Sequence, residues 1–158
     1  MTDIEKQENL INAGGNCSVE WIYRDYVSDI PTAVDGQVDE SEIELDSSEA
    51  FGDIYGTPET IKVEISPNST DNGMEYGVSV ALRYPKDQYT ISAQFQEMVQ
   101  RGIILKVEDA NGVRMIMGTI DNPMYMKFKT LKPESHDGYN GYEVTFDAKF
   151  SHHPYYLY

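Results

Sequence analysis

LKVEDANGVRMIMGTIDNPMYMKF, residues 105–128, decides the fold of this chain. At its centre stands Asp109-Ala110-Asn111-Gly112. An Asn-Gly pair between apolar runs signals a tight turn, because glycine takes positive φ without steric cost. Before the turn, Ile103, Leu105 and Val107 recur at every second position; after it, Val113, Met115 and Met117 do the same. Side chains alternate across a strand, so this spacing buries one face. The reading predicts a hairpin of strands 103–109 and 113–117. Asp121-Asn122-Pro123 then breaks the chain, and Met124, Met126 and Phe128 alternate with Tyr125, Lys127 and Lys129 as a further strand.

Working outward, the same period recurs. Val144, Phe146, Ala148 and Phe150 face one way while Glu143, Thr145, Asp147 and Lys149 face the other. The loop 133–141 holds His136. Upstream, Ile61, Val63 and Ile65 predict a strand, Asn68 to Gly73 a turn cluster, and Tyr76, Val78, Val80 and Leu82 a strand that pairs back on the first. The run Val19-Glu20-Trp21-Ile22-Tyr23 reads as one more. Residues 90–102 form the single convincing helix, with Ile91, Phe95, Met98 and Val99 on one face. Thr90 or Ser92 is expected to cap its start and Gly102 its end. Several short strands with turns between them, and one helix, predict a mainly β (α+β) chain. Its form is an antiparallel β-sandwich or barrel of about seven or eight strands with one packed helix.

The chain has 158 residues, enough for one domain with a real core. Residues 1–16 read as a loose N-terminal arm and 17–158 as a single β-rich domain. Within it, residues 35–60, DGQVDESEIELDSSEAFGDIYGTPET, form a long acidic loop or arm with nine carboxylates, which orders against something else. Glu42-Ile43-Glu44-Leu45 hints at a short strand inside that loop. The net charge is −15; residues 1–60 carry fifteen acids against Lys6 and Arg24, and residues 61–158 carry twelve acids against ten bases. Such a chain repels nucleic acid and anionic membrane, whose binding runs on lysine and arginine. No apolar run approaches a membrane span, and MTDIEKQENLI lacks the build of a secretory leader. Cys17, the one cysteine, is read as an ordinary small side chain in a chain without internal disulfides.

Motifs for chemistry are missing. His152 and His153 are neighbours, point opposite ways in a strand, and lie far in sequence from His136, a poor supply of zinc ligands. Asp35 to Glu40 lacks the spacing of a helix-loop-helix calcium site and reads as a solvated loop. There is no G-x-S-x-G, and no glycine-rich loop opens the helix. The expectation is a protein that is not an enzyme and needs no cofactor or metal. Met115, Met117, Met124 and Met126 are gap-filling core residues or an adaptable interface stripe. The aromatic end, Tyr155, Tyr156 and Tyr158, packs on its own domain or on a neighbour's.

The helix Ser92–Arg101 between strands, the hairpin Leu105–Met117 and the extended acidic segment Asp35–Thr60 resemble the structural proteins of tailed bacteriophages, above all the tail-tube family. The hairpin, its Gly118…Asn122-Pro123 strand entry and the aromatic C-terminus are also similar to small virion proteins of phages that infect gut Bacteroidetes. The resemblance covers the organisation of residues 60–158. It implies a β-sandwich or barrel flanked by one helix, with an arm that bridges subunits. It implies a tail-tube or neck-ring subunit that self-assembles into rings. Its partners would be copies of itself and other virion tail and neck proteins, and its place the virion, assembled in the host bacterial cytoplasm. DNA would pass through the channel without specific binding, repelled by a negative lumen. The expected interface residues are Asp39, Glu40, Glu42, Glu44, Asp46, Met115, Met117, Tyr155, Tyr156 and Tyr158. The alternative is a carbohydrate- or protein-binding β-sandwich module with a tyrosine platform at Tyr139 and Tyr142 or at Tyr155 to Tyr158.

Overall fold

A computed structural model of the chain describes residues 14–71, 73–132 and 138–158. Strand β1 (Asn16–Tyr23) opens the described chain and is followed by a single 3₁₀ turn, Arg24–Tyr26. β2 (Val27–Asp29) follows, and the acidic segment then carries three short pieces: β3 (Gln37–Val38), β4 (Glu44–Leu45) and β5 (Gly52–Asp53). Then come the long strands β6 (Lys62–Thr70) and β7 (Gly73–Pro85), helix α1 (Tyr89–Met98), β8 (Ile103–Asp109) and β9 (Arg114–Met117). β10 (Tyr125–Leu131), β11 (Gly141–Phe150) and β12 (Tyr155–Leu157) finish the chain. Residues 1–13 of the expected arm, and His136 of the expected loop, lie outside the described residues.

The chain is mainly β with one α-helix, as its periodicity predicts. Two sheets carry the fold, a six-stranded one in the order β3-β12-β9-β8-β1-β5 and a four-stranded one in the order β10-β11-β7-β6. The apolar rows of the two sheets meet. Val19 and Tyr23 from β1, Ile103, Leu105 and Val107 from β8, and Met117 from β9 pack against Val78, Val80 and Leu82 from β7, Met126 from β10, and Tyr142, Val144 and Phe146 from β11. Phe95 and Met98 of α1 close this core at one end. Burying a side chain of this size contributes ~1.5–3 kcal/mol, against ~0–1 kcal/mol for an exposed ion pair. The layers, not the surface charges, therefore hold the domain together.

The opening hairpin is present with a longer loop than a two-residue turn. Val107 lies opposite Met115 and Leu105 opposite Met117. Gly112 alone in the loop takes positive φ, at 77°. The Asp109 carboxylate accepts the backbone N–H of Asn111 at 2.8 Å and of Val113 at 2.9 Å. The donation from Val113, the largest cause, holds the Asp109 carboxyl below its ordinary value. The partner hairpin of β6 and β7 runs on through the expected turn cluster to a pairing of Thr70 with Gly73.

Two helix-end expectations are corrected. The N-cap is Gln88, with no side-chain cap. Instead, Ser92 offers its oxygen to Gln96 at 3.3 Å and lies against the Tyr142 hydroxyl. The helix ends with Val99 in the right-handed region, before Gly102. Gly102 is glycine for a different reason: a Cβ there would stand 2.6 Å from Cγ of Pro123.

Strand β8 is buried on both faces from Ile103 to Val107. Ile22, Val27, Ile104 and Ile116 form a second cluster behind the six-stranded sheet, covered by Ile30, Ile43, Leu45, Phe51, Tyr155 and Leu157. The acidic segment supplies Ile43, Leu45 and Phe51 of this cover. It orders against its own domain: β2 pairs with β4, β3 with β12, and β5 with β1.

Candidate assembly surface

The cover layer sorts its residues by period two. Ile43 and Leu45 turn down onto the second cluster, while Glu42, Glu44 and Asp46 stay exposed. Asp39 caps the 3₁₀ turn Glu40–Glu42, accepting Ser41 N at 2.9 Å. Asp46 accepts the Ser28 hydroxyl at 2.9 Å.

Glu40 is the exception and turns inward. Its carboxylate accepts Lys106 Nζ at 2.6 Å and Arg114 Nη2 at 2.8 Å, and Arg114 Nη1 bonds its other oxygen. Lys106 comes from the buried middle of β8 and is 8% exposed; its ammonium also lies 3.8 Å from the centre of the Phe51 ring. Burial pushes the Glu40 carboxyl up, but the bonds from Lys106 and Arg114 outweigh it and hold the group below the usual glutamate range. This node ties the acidic segment to β8 and β9.

The C-terminal strand meets the same region. Tyr156 lies opposite Gln37 and Leu157 opposite Val38 in parallel pairing, and Tyr155 lies opposite Ile116 on β9. Glu40 N donates to the Tyr158 carbonyl at 3.2 Å. Expected interface residues from three parts of the sequence thus converge around β12. Tyr156 and Tyr158 are exposed, at 42% and 71%. Tyr155 is half-buried and stacked on His152 at 4.4 Å. Met115 is half-buried against the main core, and Met117 is fully buried within it. Met117 is therefore spent on the core, not on a contact surface of the folded chain. Tyr142 is likewise fully buried, its hydroxyl bonded to Asp87, and offers no platform for a ligand.

Strand β10 follows the alternation of Met124 to Lys129, but its place at an edge of the sheet is what periodicity alone leaves unseen. It forms one edge of the four-stranded sheet, and β6 forms the other. Met124, just before β10, turns both its N–H and its C=O away from β11, bonding Ile103 at 2.8 and 2.9 Å. Strand bonds alternate in direction, so the N–H groups of Met126, Phe128 and Thr130 point to the free edge. No backbone bond among the described residues reaches them. The edge holds neither proline nor glycine, and Lys127 and Lys129 stand out from it, exposed. A seven-residue edge without proline, glycine or bulge is a template for another strand, one that edge lysines blunt unless opposite charges meet them.

The outward face of the same sheet is uncovered. A trough of about 590 Å³ crosses it, floored by Ser66, Gly77 and Ser79 and walled by Tyr125, Asn122 and Lys149. Unlike charges interleave there, with Lys127 3.1 Å from Asp147 and Arg83 3.1 Å from Glu143. Among the described residues no three His, Cys, Asp or Glu side chains group as a metal site requires. No described helix is long and apolar enough to cross a membrane. No known protein family, curated protein or solved structure matches the chain.

Proposed function

We propose that this chain is a non-enzymatic structural subunit that self-assembles into rings, as a tail-tube or neck-ring protein of a tailed bacteriophage. The observation that carries the reading is the free edge of β10, a seven-residue strand whose outward N–H groups at Met126, Phe128 and Thr130 no other strand reaches among the described residues. A monomer gains nothing from such an edge, whereas a subunit uses it to continue its sheet into the next copy. The remaining support is the tail-tube-like order of elements and the net charge of −15. Multiplied around a ring, that charge makes a field that repels phosphates, so that DNA slides through the channel without specific binding. The partners are copies of the chain and neighbouring tail or neck proteins, and the destination is the virion. Negative-stain imaging of the concentrated protein tests this. Rings or tubes of uniform diameter are expected; featureless monomers at every concentration overturn it.

A second reading rests on the trough beside Tyr125. An exposed tyrosine ring, 52% accessible, next to serine hydroxyls and the Asp147 carboxylate is a set of groups that suits a sugar ring. A carbohydrate-binding module would show chemical-shift changes at Tyr125 and Ser79 on titration with a glycan, with no change of molecular mass.

A further inference from the structure

Two extended strips in this molecule complement one another, and they lie on different parts of it. The first is the β10 edge, where Lys127 and Lys129 stand two residues apart on the outward side. Lys127 has Asp147 as its ion-pair partner, with its own side chain 74% exposed, and Lys129 has none among the described residues. The second is 42–46 in the cover layer. Glu44 and Asp46 stand outward on its extended part at the same spacing of two, Glu42 stands outward at the end of the 3₁₀ turn, and Ile43 and Leu45 hold the strip down. None of these three carboxylates has an ion-pair partner among the described residues, although Asp46 accepts Ser28. Successive outward side chains on an extended chain lie roughly 6.6 Å apart, so the carboxylates of Glu44 and Asp46 and the ammoniums of Lys127 and Lys129 stand in register. The strip belongs to the layer over the six-stranded sheet; the edge belongs to the other sheet.

We propose that the β10 edge of one copy takes the extended part of the acidic strip of a second copy, residues 44–46, along the side of β4 that β2 leaves free. The proposal rests on the self-assembly reading and names its contact. The occupant is a second copy because one chain carries both halves. Opposite charges directly across adjacent strands stabilise the pairing, and the N–H groups of Met126, Phe128 and Thr130 supply its backbone bonds. The two surfaces differ, so the contact is head-to-tail. Each copy lends its strip to one neighbour and its edge to another, which closes a ring or extends a stack.

Bulk charge and this contact predict opposite outcomes. Neutralising acids in a chain of −15 reduces repulsion between copies and, by itself, favours association. Glu42→Gln/Glu44→Gln/Asp46→Asn should instead weaken assembly by about tenfold, as should Lys127→Gln/Lys129→Gln. Sedimentation velocity on the full chain and on both variants, at low and high salt, reads this directly. All the replaced side chains are exposed, and far-UV circular dichroism verifies that the variants fold. The first variant keeps only the edge and the second only the strip, so a 1:1 mixture should form a dimer that grows no further. Unimpaired assembly of either variant overturns the contact and leaves self-assembly standing. Two impaired variants that give no dimer on mixing overturn the pairing of these surfaces with each other. A wild-type chain that stays monomeric removes the self-assembly reading and this contact with it.

Discussion

Glu40 is one of nine carboxylates between residues 35 and 60, and nothing in its sequence neighbourhood sets it apart. Its role comes from Lys106, sixty-six residues away, whose ammonium is buried in β8 and needs a counter-charge. Breaking one partner of such a pair leaves the other desolvated and alone. Glu40→Ala should therefore destabilise the domain by about 2–4 kcal/mol in chemical denaturation. Adding Lys106→Met to that variant should restore most of the loss, because a buried apolar side chain of similar length replaces the orphaned charge. The folded chain holds the Glu40 carboxyl below its ordinary value, so its contribution is fully present above the unfolded value and is lost as pH falls through the folded one. Titrated from about pH 5 to about pH 3, wild type should lose this part of its stability and Glu40→Gln should not. At this scale the sequence was legible where chemistry is local. Asp109, Asn111 and Gly112 announce their turn because each acts on backbone within four residues. Met117 was not, since a methionine stripe reads the same whether it faces a core or a partner.

At the scale of elements, alternation located the long strands, and the burial of Val144, Phe146 and Phe150 follows the period written in the sequence. Three features escaped it, all for one reason: they depend on what lies alongside. The acidic segment looked too polar to order itself. It orders because Ile43, Leu45 and Phe51 find a cluster already formed by Ile22, Ile104 and Ile116. Gly102 looked like a helix cap and is instead a point of close approach to Pro123. Gly102→Ala should destabilise the domain by about 1–3 kcal/mol, since the added methyl meets a proline ring that cannot swing aside. A melting curve checks this. Edge status is the third feature, because strand order is a property of the whole topology. It yields a clean variant: the N–H of Thr130 points to the free edge, so Thr130→Pro removes no bond to β11. That variant should melt within about 1 kcal/mol of wild type and lose assembly. Loss of the fold instead would show that the edge was assigned to the wrong row.

For the whole molecule, the uneven charge of the sequence becomes an uneven surface. Glu42, Glu44 and Asp46 stand exposed in the layer over the six-stranded sheet, while Lys62, Arg83, Lys127, Lys129 and Lys149 mix with acids on the open four-stranded sheet. The sequence could state the imbalance between its two halves but not that the halves would face different ways. The mainly β class was readable from period two and the turns between strands, whereas the choice between sandwich and barrel, left open by the sequence, is settled by which strands pair. The candidate surface was only half readable, since its acidic and tyrosine parts are marked by composition and its β10 edge is not. The account stands on one claim, that this chain is built to join copies of itself. The direct measurement is molar mass by multi-angle light scattering across a wide concentration range at low and at physiological salt. The account predicts a mass that climbs with concentration to a discrete multiple of the 17.9 kDa chain and falls when salt is raised. A mass of one chain at every concentration and salt would contradict it.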